Sequence, residues 1–203
     1  MKKVGLYFGT FNPIHVGHLI IANYMADFTE LDEVWLVVSP QNPFKQKSSL
    51  LADYHRLSIA RIAVEDNAKV KVTDIEFSLP KPSYTINTLL ALEEKHPDCE
   101  FALVMGEDNL RTLHKWKSFE DIVNKRKIYV YPRVLTLQEK EDMKPHRVRA
   151  ELRDHQNVIK VDAPVMKLSA SFIRKAIKDG HNVRYLLTES VYQYITEMHF
   201  YEN

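Results

Sequence analysis

Cysteine is almost absent from this 203-residue chain, with Cys99 alone, so no internal disulfide and no cysteine-based metal site can form. Charge of one sign is missing too: 28 Lys and Arg stand against 27 Asp and Glu. That balance gives no global electrostatic case for a nucleic-acid or membrane partner, and any anion must be bound locally. No apolar run approaches the length of a membrane span, and the run after Met1-Lys2-Lys3 is too short for a signal peptide. A cytoplasmic protein in a reducing compartment is expected. Glycine is scarce, at five residues. Gly180, after Lys178-Asp179, reads as a helix stop, which leaves Gly5, Gly9, Gly17 and Gly106 as candidates for function.

What is present is an alternation of short apolar runs and helical patterns. Strands are predicted at Val4–Phe8, Glu33–Val38, Val70–Ile75, Glu100–Met105, Ile128–Tyr131 and Val158–Val161. Helices are predicted over Val16–Phe28, Asp53–Asp66, Tyr84–Lys95, Phe119–Asn124, Ser171–Lys178 and Glu189–Met198. Glu33–Val38 is nearly continuous in apolar residues, as a strand covered on both faces would be. The pattern predicts an α/β fold with a doubly wound, mostly parallel sheet in a single domain, residues 1–203, whose C-terminal part from about 165 is helical. The charged stretch Thr136–Gln156 reads as a solvated helix or a mobile connection.

In such sheets ligands sit beyond the carboxyl ends of the strands. The first strand ends in Gly9-Thr10-Phe11-Asn12-Pro13-Ile14-His15-Val16-Gly17-His18, which then opens a helix. A helix start with glycines, a hydroxyl and two imidazoles suits a phosphate. Gly9 would let the chain turn sharply, and Gly17 would let backbone approach the anion. His15 and His18, three apart, share a face of the first turn. Half of a metal site, or simple capping, is the alternative for such a pair. No Walker-type sequence occurs, which argues against P-loop hydrolysis.

These residues resemble the Gly-(Thr/Ser)-Phe-(Asp/Asn)-Pro…His-x-Gly-His signature of the nucleotidyltransferase superfamily, which implies a Rossmann-like fold. Three further blocks narrow the resemblance: Ser83-Tyr84-Thr85, Gly106-Glu107-Asp108 with Trp116 downstream, and Leu168-Ser169-Ala170-Ser171-Phe172-Ile173-Arg174. In this order they resemble the bacterial nicotinate-nucleotide adenylyltransferases, from about Val4 to about Tyr194. The resemblance implies adenylyl transfer from ATP to nicotinate mononucleotide, a step of NAD biosynthesis, with Mg²⁺ accompanying ATP. It implies His15 and His18 as catalytic residues. Gly9, Thr10, Phe11, Gly17, Lys45, Gly106, Asp108, Ser169, Ser171 and Arg174 would bind ATP and its phosphates. Ser83, Tyr84, Thr85, Asp108, Trp116 and Lys117 would bind the mononucleotide: the helix start receives the nicotinate carboxylate, Trp116 stacks on the pyridine and Asp108 holds ribose hydroxyls.

Each block also has a plain reading. Ser83, Thr85, Ser169 and Ser171 could be helix caps, Asp108 could cap a helix, Trp116 could be a core residue, and Arg174 could form a surface salt bridge. The sequence departs from the family at Asn12, where Asp is commoner, and at Phe44, where histidine precedes the lysine. Lys117 stands where relatives have tyrosine. A sister adenylyltransferase with another acceptor, or a non-catalytic nucleotide sensor, would share the phosphate site. Self-association into a homo-oligomer is left open by the sequence.

Overall fold

The computed structural model describes residues 1–40, 50–132 and 148–202. Its elements run β1 (Lys2–Gly9), α1 (Val16–Phe28), β2 (Glu33–Val38), α2 (Asp53–Ala63), β3 (Val70–Thr73), α3 (Thr85–Lys95), β4 (Cys99–Gly106), α4 (Glu107–Thr112), α5 (Phe119–Lys125), β5 (Ile128–Tyr131), α6 (Ala150–Arg153), β6 (Val158–Lys160), α7 (Ala170–Lys178) and α8 (Glu189–Glu197). Among the described residues the strands form one six-stranded sheet in the order β3-β2-β1-β4-β5-β6, every pair parallel. Leu6 at the centre of β1 lies opposite Trp35 of β2 and Leu103 of β4.

Alternate residues of the central strands serve opposite faces, as the two-residue period of a strand requires. Tyr7, Ala102 and Val104 pack with Ile21 and Met25 of α1, Leu57 of α2, Ile173 of α7 and Ile195 of α8. Leu6, Leu103 and Met105 pack with Leu89 and Leu92 of α3 and Ile122 of α5. Covering both faces buries every residue of β4 except Glu100, which explains the apolar runs. Gly5 belongs to this packing rather than to a site: a Cβ there would lie 2.6 Å from Leu31 Cδ1 and 3.0 Å from Val104 Cγ2.

The third strand ends at Thr73, two residues earlier than its apolar pattern suggests, because Ile75–Phe77 winds into a 3₁₀ turn. Of the charged stretch 136–156, the described part holds the short helix α6. α7 ends as expected: Gly180 has φ +74°, and the His181 and Gly180 N–H groups donate to Ala176 and Ile177. Among the described residues no helix is long and apolar enough to cross a membrane.

This strand order reverses direction between β1 and β4, each side growing outward from there. Their carboxyl ends, Gly9 and Gly106, flank the crevice where ligands of such sheets bind.

Candidate active site

The loop after β1 turns at Phe11, not at Gly9. Phe11 has φ +44°, left-handed backbone that a bulky residue adopts only when its surroundings impose it. Gly9 stays in the strand, and its glycine is needed for space: a Cβ would lie 2.9 Å from the Phe11 ring. That ring is only 2 % exposed, so Phe11 could meet a phosphate through its backbone alone. Gly17 likewise makes room for a side chain, since a Cβ there would lie 3.0 Å from His15 Nδ1.

His15 is the N-cap residue of α1, with extended backbone, and it is 5 % exposed. Its Nδ1 is buried without a hydrogen-bond partner, and burial pulls its pKa down to about 4. His15 is therefore a neutral imidazole near pH 7. The His18 ring stacks on it at 3.7 Å between centroids, with 25° between planes. His18 Nδ1 accepts the backbone N–H of His15 at 3.3 Å. A backbone N–H can only donate, so in neutral His18 the proton sits on Nε2. Phe11 and Tyr7 meet the His18 ring edge-on at 5.2 and 6.2 Å. The pair is thus held as a stack at a helix start, with the donor of neutral His18 on Nε2.

Asn12 holds this loop to the rest of the chain. Its side-chain oxygen accepts from Leu51 N–H at 3.2 Å and from the Tyr201 hydroxyl at 2.9 Å. Its backbone carbonyl accepts from Arg174 Nη1 at 2.8 Å, while Arg174 Nη2 reaches Ser171 Oγ at 3.2 Å. The C-terminal block therefore meets the opening motif directly through the part-buried Arg174 guanidinium. At the start of α7 only Ser169 caps, accepting Phe172 N–H at 3.2 Å; Ser171 lies inside the first turn and braces Arg174 instead.

Sequence reasoning missed Arg56. Its side chain has no solvent exposure, and it donates to the carbonyls of Thr10 (2.6 Å), Ser39 (2.9 Å) and Leu51 (3.0 Å) and to Asp53 Oδ1 (2.6 Å). One guanidinium thus ties together the backbone leaving β1, the backbone leaving β2 and the start of α2. The Asp53–Arg56 spacing was the only local signal. Lys45 lies outside the described residues.

The second half of the crevice lies at β4 and α3. Gly106 is the N-cap residue of α4, and its bare backbone accommodates Asp108: a Cβ would fall 2.5 Å from Asp108 Oδ1. Asp108 is thereby held at the end of β4 without serving as the cap. Tyr131, at the end of β5, links this half to the first, its hydroxyl 3.1 Å from that of Tyr7. Beside it opens a cleft of about 600 Å³, with Glu107, Arg111, Arg153 and Lys160 among its lining residues.

Neither Ser83 nor Thr85 caps α3. Tyr84 occupies the N-cap position and no side chain caps this helix. Ser83 Oγ is buried with no hydrogen-bond partner. Trp116 follows a 3₁₀ turn over Leu113–Lys115, is partly buried, and packs on the apolar cluster beneath α3. Lys117 Nζ lies 4.8 Å from the centroid of the Tyr84 ring, a cation–π contact that joins the two acceptor blocks.

Residues 6–176 match the family model described as cytidylyltransferase-like. The Flavobacterium johnsoniae protein named probable nicotinate-nucleotide adenylyltransferase is 52% identical over 200 residues, 98% of this chain and 99% of its own. The protein of the same name from Christiangramia forsetii is 51% identical over 201 residues, 99% of each chain. Among solved structures, the nicotinic acid mononucleotide adenylyltransferase of Plasmodium falciparum complexed with NaAD shares the fold. It superposes with a TM-score of 0.78 at 18% identity, covering 100% of this chain and 98% of that one. A stacked histidine pair at the switch point, an arginine returned to it from the C-terminal block, and full-length likeness to these relatives agree. The chain belongs to the cytidylyltransferase-like family and, within it, to the nicotinate-nucleotide adenylyltransferases.

Proposed function

We propose that the chain joins nicotinate mononucleotide to the adenylyl group of ATP, releasing pyrophosphate, with the residues above in the following roles. A phosphate oxygen of the mononucleotide attacks the α-phosphorus in line; the new P–O bond forms as the bond from Pα to the β-phosphate oxygen breaks. No protein nucleophile is required, so catalysis rests on positioning and on stabilising charge. His18 Nε2–H donates to the α-phosphate as that charge builds. His15 and Thr10 hold the phosphate chain, and Arg174 with the α7 start orients the departing pyrophosphate.

The observation that carries this reading is the His15–His18 stack, whose internal bond leaves His18 with its donor on Nε2. On the acceptor side, the uncapped start of α3 and the unpartnered Ser83 Oγ are suited to the nicotinate carboxylate. Trp116 offers a flat face to the pyridine, and Asp108 accepts from ribose hydroxyls. Mg²⁺ enters with ATP. On this reading the ion is carried by the phosphate oxygens of ATP and by water. The cytoplasm is the proposed compartment, where Cys99 would stay a buried free thiol.

The test is pyrophosphate release from ATP with nicotinate or nicotinamide mononucleotide as acceptor. Turnover favouring the nicotinate form is expected. Equal rates would remove the carboxylate role of Ser83 and α3, and no release with either acceptor would overturn the reaction itself.

A further inference from the structure

Helix α8 ends at Glu197, and the last turns of chain then bend back toward the phosphate loop. His199 and Tyr201 have φ of +52° and +68°, left-handed backbone that is uncommon outside glycine, above all for a bulky residue such as Tyr201. Between them, the Phe200 N–H donates to the Ile195 carbonyl at 3.1 Å, and the Phe200 ring packs edge-on to His55 at 4.6 Å and Tyr194 at 6.0 Å. The double bend delivers the Tyr201 hydroxyl to Asn12 Oδ1 at 2.9 Å. Burial pushes the phenol above its ordinary range, and the hydroxyl is a protonated donor at neutral pH, as an ordinary phenol is.

Asn12 is a buried residue between the left-handed Phe11 and Pro13, three positions before His15. The backbone N–H of His15 in turn sets the His18 ring. Displacing Asn12 would displace that N–H, and with it the orientation of the donor on His18. We propose that Tyr201 is a positioning residue for adenylyl transfer, acting through Asn12 to hold the phosphate loop in the register that aims His15 and His18. The inference rests on the adenylyl-transfer reading. It gives the strained tail a purpose that packing alone does not, since Phe200 already anchors the tail to α2 and α8.

Tyr201→Phe keeps the ring and the Phe200 contacts and removes only the hydroxyl. Its kcat is expected to fall about tenfold, as small misplacements of a catalytic group do, with KM for ATP and mononucleotide within about twofold of wild type. In an Asn12→Ala background the same change should cost no further activity, because the bond it removes is already gone. The imidazole ¹⁵N signals of His15 and His18 should shift in Tyr201→Phe without any substrate present. An unchanged kcat with unchanged imidazole signals would overturn the proposal. So would a kcat loss of equal size in the Asn12→Ala background. A wild-type chain that releases no pyrophosphate would sink the adenylyl-transfer reading alone, and the imidazole signals would still decide Tyr201.

Discussion

Asn12, at the carboxyl end of β1, is 4 % exposed and has both its oxygens engaged by donors from residues 51, 174 and 201. Ser83, at the entrance to α3, also has a buried oxygen, and that oxygen has no partner. The oxygens of these two residues, one in each half of the crevice, are thus treated in opposite ways. Asn12 is satisfied from within the protein by bonds that cross most of the chain, while His15 Nδ1 in the same half is buried without a partner, as Ser83 Oγ is. The α3 half leaves an uncapped helix start and a desolvated hydroxyl for something else to satisfy. Burial of an unpartnered polar group costs stability, a cost that a ligand bound at the α3 start would relieve. Internal bonding suits a donor that must meet a transition state; open groups suit the recognition of a substrate already in its ground state.

Breaking the bracing of the β1 half should have the largest effect. Arg56→Met fills the volume but leaves the carbonyls of Thr10, Ser39 and Leu51 unpaired in a site with no solvent. A loss of roughly 3–5 kcal/mol in unfolding free energy is expected, the range for breaking a buried charged network. Denaturant unfolding checks it, and a loss below about 1 kcal/mol would mean the guanidinium is not the brace described. His18→Ala comes next and should separate chemistry from folding. It removes the proposed donor to the α-phosphate, worth about 3 kcal/mol of transition-state stabilisation. Turnover should drop by 10²-fold or more while the denaturation midpoint barely moves. A variant with near-normal turnover would remove His18 from the mechanism.

The same contrast marks how far the sequence could be read. The sheet was legible because β1, β2 and β4 lie at its centre, where both faces are covered and the apolar runs are continuous. The overlong third strand has a local cause: Asp74-Ile75-Glu76-Phe77 alternates like a strand, while the chain turns there so that Glu76 meets Thr88 of α3 at 2.7 Å. His15 and His18 could be placed on one helical turn from spacing alone. That one is buried and neutral while the other donates from Nε2 depends on Gly17, Phe11 and a backbone N–H, which spacing does not reveal. Arg56 and Tyr201 were invisible for a different reason. Each looks like an ordinary helix or tail residue, and its partners at positions 10, 12, 39 and 51 meet it only once the sheet is assembled. The acceptor blocks were found through resemblance, but their capping reading failed: Tyr84 holds the N-cap position, and Ser83 Oγ is buried with no partner.

Acidification sharpens the comparison from the β1 side. His15 has its pKa lowered by burial to about 4, whereas an unfolded histidine titrates near its ordinary value of about 6.5. Between those values the unfolded chain binds the extra proton and the folded one does not. Stability should therefore be whole above pH 6.5 and decline as pH falls toward 4, with His15 accounting for about 3 kcal/mol at the low end. His15→Gln should flatten that decline in urea unfolding between pH 7 and 4 relative to wild type. Parallel curves would show that the imidazole is not held neutral by the fold.

The smallest effect, Ser83→Ala, tests the other half. If the Ser83 hydroxyl contributes nothing to the free protein, its removal should leave stability within about 0.5 kcal/mol of wild type, or raise it slightly by relieving a buried unpartnered oxygen. The loss should appear only when the mononucleotide binds: KM for the nicotinate form should rise several-fold while kcat changes little, because a ground-state contact has been removed. For the nicotinamide form, which brings no carboxylate to the α3 start, KM should stay put. Destabilisation comparable to that of Arg56→Met would mean the hydroxyl is satisfied inside the protein after all, and the two halves of the crevice would then be built alike.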